Sequence, residues 1–160
     1  MGYNTRFKGK FQVSPILKKE HQEYLTAFSE TRRMKRDTDR VLQLPDPIRA
    51  LVALPIGEDA AYFVGGTGFF GQDEDFSIVD YNSPPSGQPE LWCMWVPSAD
   101  GTAIKYDDSR EKFSNYIEWI EYLIKHFFSP WKYKLNGTVS WQGEISSDVG
   151  EIVSWRNSNY

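Results

Sequence analysis

Tyr3, Thr5, Phe7, Gly9, Phe11 and Val13 alternate with Asn4, Arg6, Lys8, Lys10 and Gln12, the period of two expected of a strand with one buried face. Ser14 and Pro15 then supply a helix N-cap and a first helical residue, and Leu17, Tyr24, Leu25 and Phe28 fall on one helical face, predicting a helix over 15–30. From 31 to about 90 the pattern turns irregular, punctuated by Pro45, Pro47, Pro55, Pro84, Pro85 and Pro89 and by the glycines of YFVGGTGFFG. Within this stretch Asp46-Pro47 caps a short helix through Leu51 and Val52, and strands are expected at 61–64 and 76–81. A structureless connection this long is unusual in a compact domain, so the region is an insertion with some structure of its own, packed on the main body through Phe63, Phe69, Phe70 and Phe76.

Regularity returns at Leu91-Trp92-Cys93-Met94-Trp95-Val96, an apolar run too short for a helix and best explained as a strand covered on both faces. Pro97 to Gly101 is turn chemistry, and 102–106 is the return strand of a hairpin. Phe113, Tyr116, Ile117, Ile120, Leu123, Ile124 and Phe127 mark one face of a helix over 111–128 that stops at Pro130. Tyr133, Leu135, Gly137, Val139 and Trp141 then alternate against Lys134, Asn136, Thr138, Ser140 and Gln142, and a last strand over 151–155 completes a second hairpin.

Without the insertion and the last strand the order is βαββαβ. This predicts a single α+β domain over 1–160, an antiparallel sheet in ferredoxin-like order 4-1-3-2 with two helices on one face, plus a C-terminal strand and an insertion at about 31–90. The first and fourth strands are then neighbours, and their polar sides place Arg6, Lys8, Lys10 and Lys134 among Asn4, Gln12, Asn136, Thr138, Ser140 and Gln142. That face is a candidate binding surface.

Composition changes the picture in three ways. Six Trp, nine Tyr and ten Phe in 160 residues exceed what a core of this size needs, which directs some of them to a surface where aromatic side chains anchor partners. Cys93 stands alone, excluding an internal disulfide and a multi-cysteine zinc site within the chain. The start MGYNTRFKGKF lacks the apolar run of a signal peptide and no stretch reaches the ~18 apolar residues of a membrane span, so the expectation is a soluble cytoplasmic protein with no membrane partner.

The net charge of −4 hides a division: residues 1–40 carry ten basic and five acidic side chains, and residues 41–160 carry eight basic and seventeen acidic ones. The sharpest cationic cluster is TRRMKRD, where Arg32, Arg33, Lys35 and Arg36 either attract an anion or protein partner or complement the carbonyl dipoles of a helix end, with Glu30, Asp37 and Asp39 beside them. VGGTGFFGQDED lacks the Lys-Ser/Thr ending of a phosphate loop, and its acids lack EF-hand spacing. His21, His126 and Cys93 assemble no nucleophile motif, so no catalytic residue, metal ligand or cofactor is assigned. The candidate binding residues are Arg32, Arg33, Lys35, Arg36, Phe69, Phe70 and Trp92.

The opening GYNTRFKGKFQVSP, the TRRMKRD segment and the closing NGTVSWQGE with GEIV resemble small uncharacterised proteins of bacteria and their phages. The resemblance implies a bacterial or phage cytoplasm and carries no activity. Taken together, these features lead us to expect a non-enzymatic protein-binding or regulatory module, an inhibitor or modulator of a host or defence factor. The alternatives are a nucleic-acid-binding module using the basic first 40 residues and an enzyme with a site formed by insertion and sheet.

Overall fold

In the computed structural model, which describes residues 4–110 and 112–155, the elements are β1 (Thr5–Ser14), α1 (Lys19–Ser29), β2 (Lys35–Arg36), α2 (Thr38–Val41), α3 (Pro47–Leu51), β3 (Ile78–Asp80), β4 (Trp95–Pro97), β5 (Ala103–Tyr106), α4 (Tyr116–Leu123), β6 (Lys134–Gly143) and β7 (Val149–Trp155). Short 3₁₀ turns occupy Glu58–Ala60 and Phe69–Gly71, and a π turn, Ile124–Phe128, continues α4. Tyr3 and Glu111, assigned above to the starts of a strand and a helix, lie outside the described residues. The chain divides into two compact units: Met1–Lys18 with Met94–Tyr160, and Lys19–Cys93. The second takes in α1 together with the irregular region.

The first unit is built on the pairing the alternation predicts. β1 runs antiparallel to β6 along its whole length, from Thr5 opposite Gly143 to Ser14 opposite Lys134. β5 flanks β1 on its other side, giving the order β4-β5-β1-β6-β7, antiparallel throughout. Alternation sends Phe11, Val13, Leu135 and Val139 inward, each at most 5% exposed, and leaves Arg6, Lys8, Lys10 and Gln12 in water. The inner side carries a ring cluster: the Phe7 centroid lies 5.7 Å from Trp95 and 5.0 Å from Tyr116, and Trp95 lies 5.6 Å from Phe11. The Trp95 indole N–H donates to the Tyr116 carbonyl at 2.9 Å, so this buried indole has its polar atom satisfied. The hairpin turn between β4 and β5 is held by Asp100, whose carboxylate accepts from the Thr102 and Ser98 hydroxyls, and these bonds lower its pKa to about 2.

Several expectations need correction. Ser14-Pro15 does not cap a helix: the bond is cis, Leu17 N–H donates to Gly101 O at 3.0 Å and Lys18 N–H to the Tyr133 hydroxyl at 3.0 Å. These tertiary bonds keep the segment extended, and α1 begins only at Lys19. The second long helix starts at Tyr116 rather than near 111, because Lys112 and Asn115 take left-handed φ values of 62° and 57°. Phe113, counted above on the helix face, instead fills the ring cluster 5.4 Å from Trp95 and is 4% exposed. Beyond α4 the wider π turn allows the adjacent Phe127 and Phe128 both to bury completely. Of the strand expected at 91–96 only Trp95 and Val96 are extended and paired, and β4 runs on through Pro97, which was read as turn.

In the second unit α1 buries Tyr24, Leu25 and Phe28, and Val41, Ala60 and Phe63 form an apolar cluster with Leu44 and Ile56. Asp37 caps α2 by accepting from Arg40 N–H at 3.0 Å, whereas Asp46 precedes α3 without a side-chain cap and pairs with Arg49. The expected strand at 61–64 does not form. Its backbone carbonyls are taken by side chains instead: Tyr24 donates to Tyr62 O at 2.8 Å, Gln88 to Ala61 O at 2.7 Å, and Arg33 to Ala61 O and Phe63 O at 2.8 and 2.9 Å. A buried apolar segment can therefore remain irregular without orphaned acceptors. The strand expected at 76–81 shortens to β3, paired with β2.

Candidate functional site

TRRMKRD does not make one exposed cationic patch. Arg33 is 2% exposed, its guanidinium bonded to Ala61 O, Phe63 O and the Gln88 side chain and lying 4.1 Å above the Phe28 ring. Arg36 is 3% exposed and donates to Asp75 at 2.9 Å and to the Ser77 hydroxyl at 2.8 Å. Lys35 is half-buried in the β2–β3 pair, opposite Asp80. Desolvating a guanidinium is costly unless carbonyls or carboxylates replace its water, and both buried arginines have such partners. They organise the unit and do not present charge to a ligand.

Burial pushes the Asp75 carboxyl up, but the Ser77 hydroxyl and amide and the Arg36 guanidinium outweigh it and hold the group below the ordinary carboxylate value. A carboxyl whose folded pKa is depressed contributes stability that is complete above its unfolded value, about 3.9, and lost as pH falls through the folded one. The second unit is therefore expected to unfold more readily below about pH 4, and Asp75→Asn to flatten that acid limb. Urea unfolding at a series of acidic pH values checks this; an identical pH slope in the variant would contradict the linkage.

Four of the sequence candidates do come together. Arg32 lies with its guanidinium carbon 4.2 Å above the Tyr81 ring and 6.0 Å from the Trp92 ring, donating to Tyr81 O and to the Asn82 side chain. Its backbone N–H donates to Phe70 O at 3.1 Å, which ties the glycine-rich loop to it. Phe70 meets Trp92 at 5.8 Å and Phe69 at 4.4 Å, and Phe69 itself is 77% exposed. Arg32, Phe69, Phe70, Tyr81 and Trp92 thus form one continuous surface of four rings and a cation. Tyr81, read from the sequence as the end of a strand over 76–81, was not among the binding candidates; it sits in a turn just past β3. Its one signal was the Asp80-Tyr81-Asn82-Ser83 run, in which the Asp80 carboxylate accepts from Asn82 N–H and the Ser83 hydroxyl.

The loop is anchored on both sides. Thr31, buried at the end of α1, accepts from Gly65 N–H at 3.1 Å and donates to Ala27 O at 2.8 Å. Gly71 approaches the other limb so closely that a Cβ there would stand 2.3 Å from Gly65 O. Between them Phe70 takes a left-handed φ of 55°, costly for a bulky residue and maintained only when its surroundings fix it. Beside the rings, Asp73 and Glu74 are exposed. Over Lys19–Cys93 as a whole, thirteen acidic residues face seven basic ones, two of which are the enclosed Arg33 and Arg36.

Elsewhere, His126 stacks on Tyr122 at 3.9 Å, and burial followed by the nearby Lys125 charge lowers its pKa. Cys93 is 1% exposed. Among the described residues no three His, Cys, Asp or Glu side chains are grouped to hold a metal, and no helix is long and apolar enough to cross a membrane. Comparison with protein-family models, with curated proteins and with solved structures finds no match.

Proposed function

We propose that the protein is a non-enzymatic docking module that binds a basic protein surface through Phe69, Phe70, Trp92 and Arg32, and that it acts in a bacterial or phage cytoplasm as a modulator of a host or defence factor. The observation that carries this reading is Phe69, 77% exposed at the tip of a loop whose neighbouring residue is held at a left-handed φ. Exposing a phenylalanine forfeits the roughly 2 kcal/mol available from burying it, and strained backbone of this kind clusters at binding sites. Trp, Tyr and Arg are the residue types that dominate interface energetics. The acidic balance of the unit favours a partner carrying Lys or Arg around an apolar pocket. The placement of β1 between β5 and β6 supports a ferredoxin-like strand order for the sheet, with β7 added at the edge of β6, although α1 belongs to the Lys19–Cys93 unit and the sheet unit itself contributes α4.

Affinity capture from a bacterial extract tests the proposal with two baits. Phe69→Ala is expected to retain the stability of the parent within about 0.5 kcal/mol, since the ring is mostly exposed and gives up little beyond its contact with Phe70. It should nevertheless lose a stoichiometric protein partner, as a hot-spot truncation of about 2 kcal/mol weakens binding roughly thirtyfold. Capture that is indifferent to Phe69→Ala, or copurification of a nucleotide or metal in place of a protein, would overturn the reading in favour of the enzyme or another surface.

A further inference from the structure

We infer that the outward face of the β4-β5-β1-β6-β7 sheet is a second, separate binding surface, for the phosphate backbone of double-stranded nucleic acid. Arg6, Lys8 and Lys10 occupy successive outward positions of β1, about 6.8 Å apart along the strand. Register adds Lys134 on β6, opposite Ser14, and Lys105 on β5, which shares the side of Gln12 because Gln12 stands opposite Ala103. All five cations are exposed. Among the described residues, Glu151 is the single acidic side chain at an outward position of these strands.

Gln12, Asn136, Thr138 and Ser140 stand between the cations, amide and hydroxyl groups of the kind that donate to phosphate oxygens. The outer surface over β1, β6 and β7 includes a shallow depression of about 630 Å³ whose lining joins Arg6, Lys8, Ser140, Gln142 and Glu151 to the apolar Phe7, Trp141 and Val149. The charge belongs to this unit and not to the chain as a whole: Met1–Lys18 with Met94–Tyr160 carries eleven basic and nine acidic residues, whereas Lys19–Cys93 is strongly acidic.

Two features select the ligand. The outward positions of the cation-bearing strands β1, β5 and β6 hold no aromatic ring, and among the described strands the one ring at an outward register position is Trp155 at the end of β7, opposite Asn136, whereas single-strand binding relies on a series of rings for successive bases to stack upon. A flat array of cations and hydroxyls fits instead the regular phosphates of a duplex, held without base readout.

Fluorescence anisotropy of a labelled duplex of about 20 base pairs, titrated with the full chain, reads the effect directly. Engagement of four or so phosphates predicts a slope of log affinity against log salt near −4, a loss of roughly a hundredfold between about 50 and 200 mM salt. Lys8→Glu with Lys10→Glu should weaken binding at least tenfold, and the milder Lys8→Gln with Lys10→Gln should lower the slope by about two. Lys19→Glu, an exposed cation in the other unit, and Phe69→Ala should bind as the parent does. The Phe69→Ala arm also separates this surface from the docking module proposed above. Circular dichroism of each variant confirms the fold. No binding at low salt, tighter binding of a single strand than of the duplex, or equal binding of polyglutamate with the same dependence on Lys8 and Lys10 would overturn the inference, the last assigning the face to an acidic protein.

Discussion

Replacing Arg33 with alanine is expected to destabilise the Lys19–Cys93 unit by about 4 kcal/mol, a large share of the 5–15 kcal/mol that holds a typical domain. The change empties space over the Phe28 ring, removes the Arg33 donor to the buried Phe63 carbonyl, and takes one of two donors from the Ala61 carbonyl, which keeps its bond from the Gln88 amide. An unsatisfied buried acceptor costs about 1–3 kcal/mol, and hydrogen bonds from a charged donor sit at the upper end of that range. Arg33→Met restores much of the volume but none of the donors, so it should recover only the packing part of the loss. Arg33→Lys keeps the charge yet lacks the planar fork that spans two carbonyls and Gln88, and should fall between parent and alanine. Urea unfolding provides the check. A loss below about 1 kcal/mol for Arg33→Ala would show that these bonds do not organise the irregular segment.

Trp95→Ala is expected to cost the sheet unit about 3–5 kcal/mol, the range for deleting a large buried ring. Trp95 is 1% exposed and touches Phe7, Phe11 and Phe113, rings contributed by β1 and by the loop before α4. Trp95→Phe keeps part of the ring packing but abandons the bond to Tyr116 O, and should cost about half as much. Thermal melts of the two variants order the effects. Equal losses for both would place the stabilisation in the indole N–H and not in the ring cluster.

What could be read from the chain before its structure depended on how local the determining physics is. The alternation in 4–13 and 133–142 fixes which side of each strand meets water, and β1 and β6 pair over ten residues with those sides in register. The turn at 97–101 was equally legible, because Asp100 and its hydroxyl partners act within five residues. Arg33 and Arg36 were not. A run of basic residues signals a solvated face, and only tertiary structure reveals that carbonyls at 61 and 63 and the carboxylate at 75 await those guanidinium groups. The same bonds explain the missing strand at 61–64, whose apolar run has the composition of a strand but spends its acceptors on side chains. Phe113 shows the remaining limit: helical spacing is a statement about neighbours in sequence, and left-handed backbone at Lys112 and Asn115 removes the residue from the helix it seemed to begin.

Of the candidate residues, Arg32, Phe69, Phe70 and Trp92 were legible as types suited to recognition, while their convergence was not. It depends on the bond from Arg32 N–H to Phe70 O and on the close approach of Gly71 to Gly65. The most direct measurement of the docking account is site-specific photocrosslinking, with a benzophenone side chain placed at position 69 and, as a control, at position 145, whose isoleucine is 61% exposed in the other unit. The account predicts a discrete protein adduct from position 69 in bacterial extract and none from position 145. No adduct from position 69, or the same adducts from both positions, would contradict it.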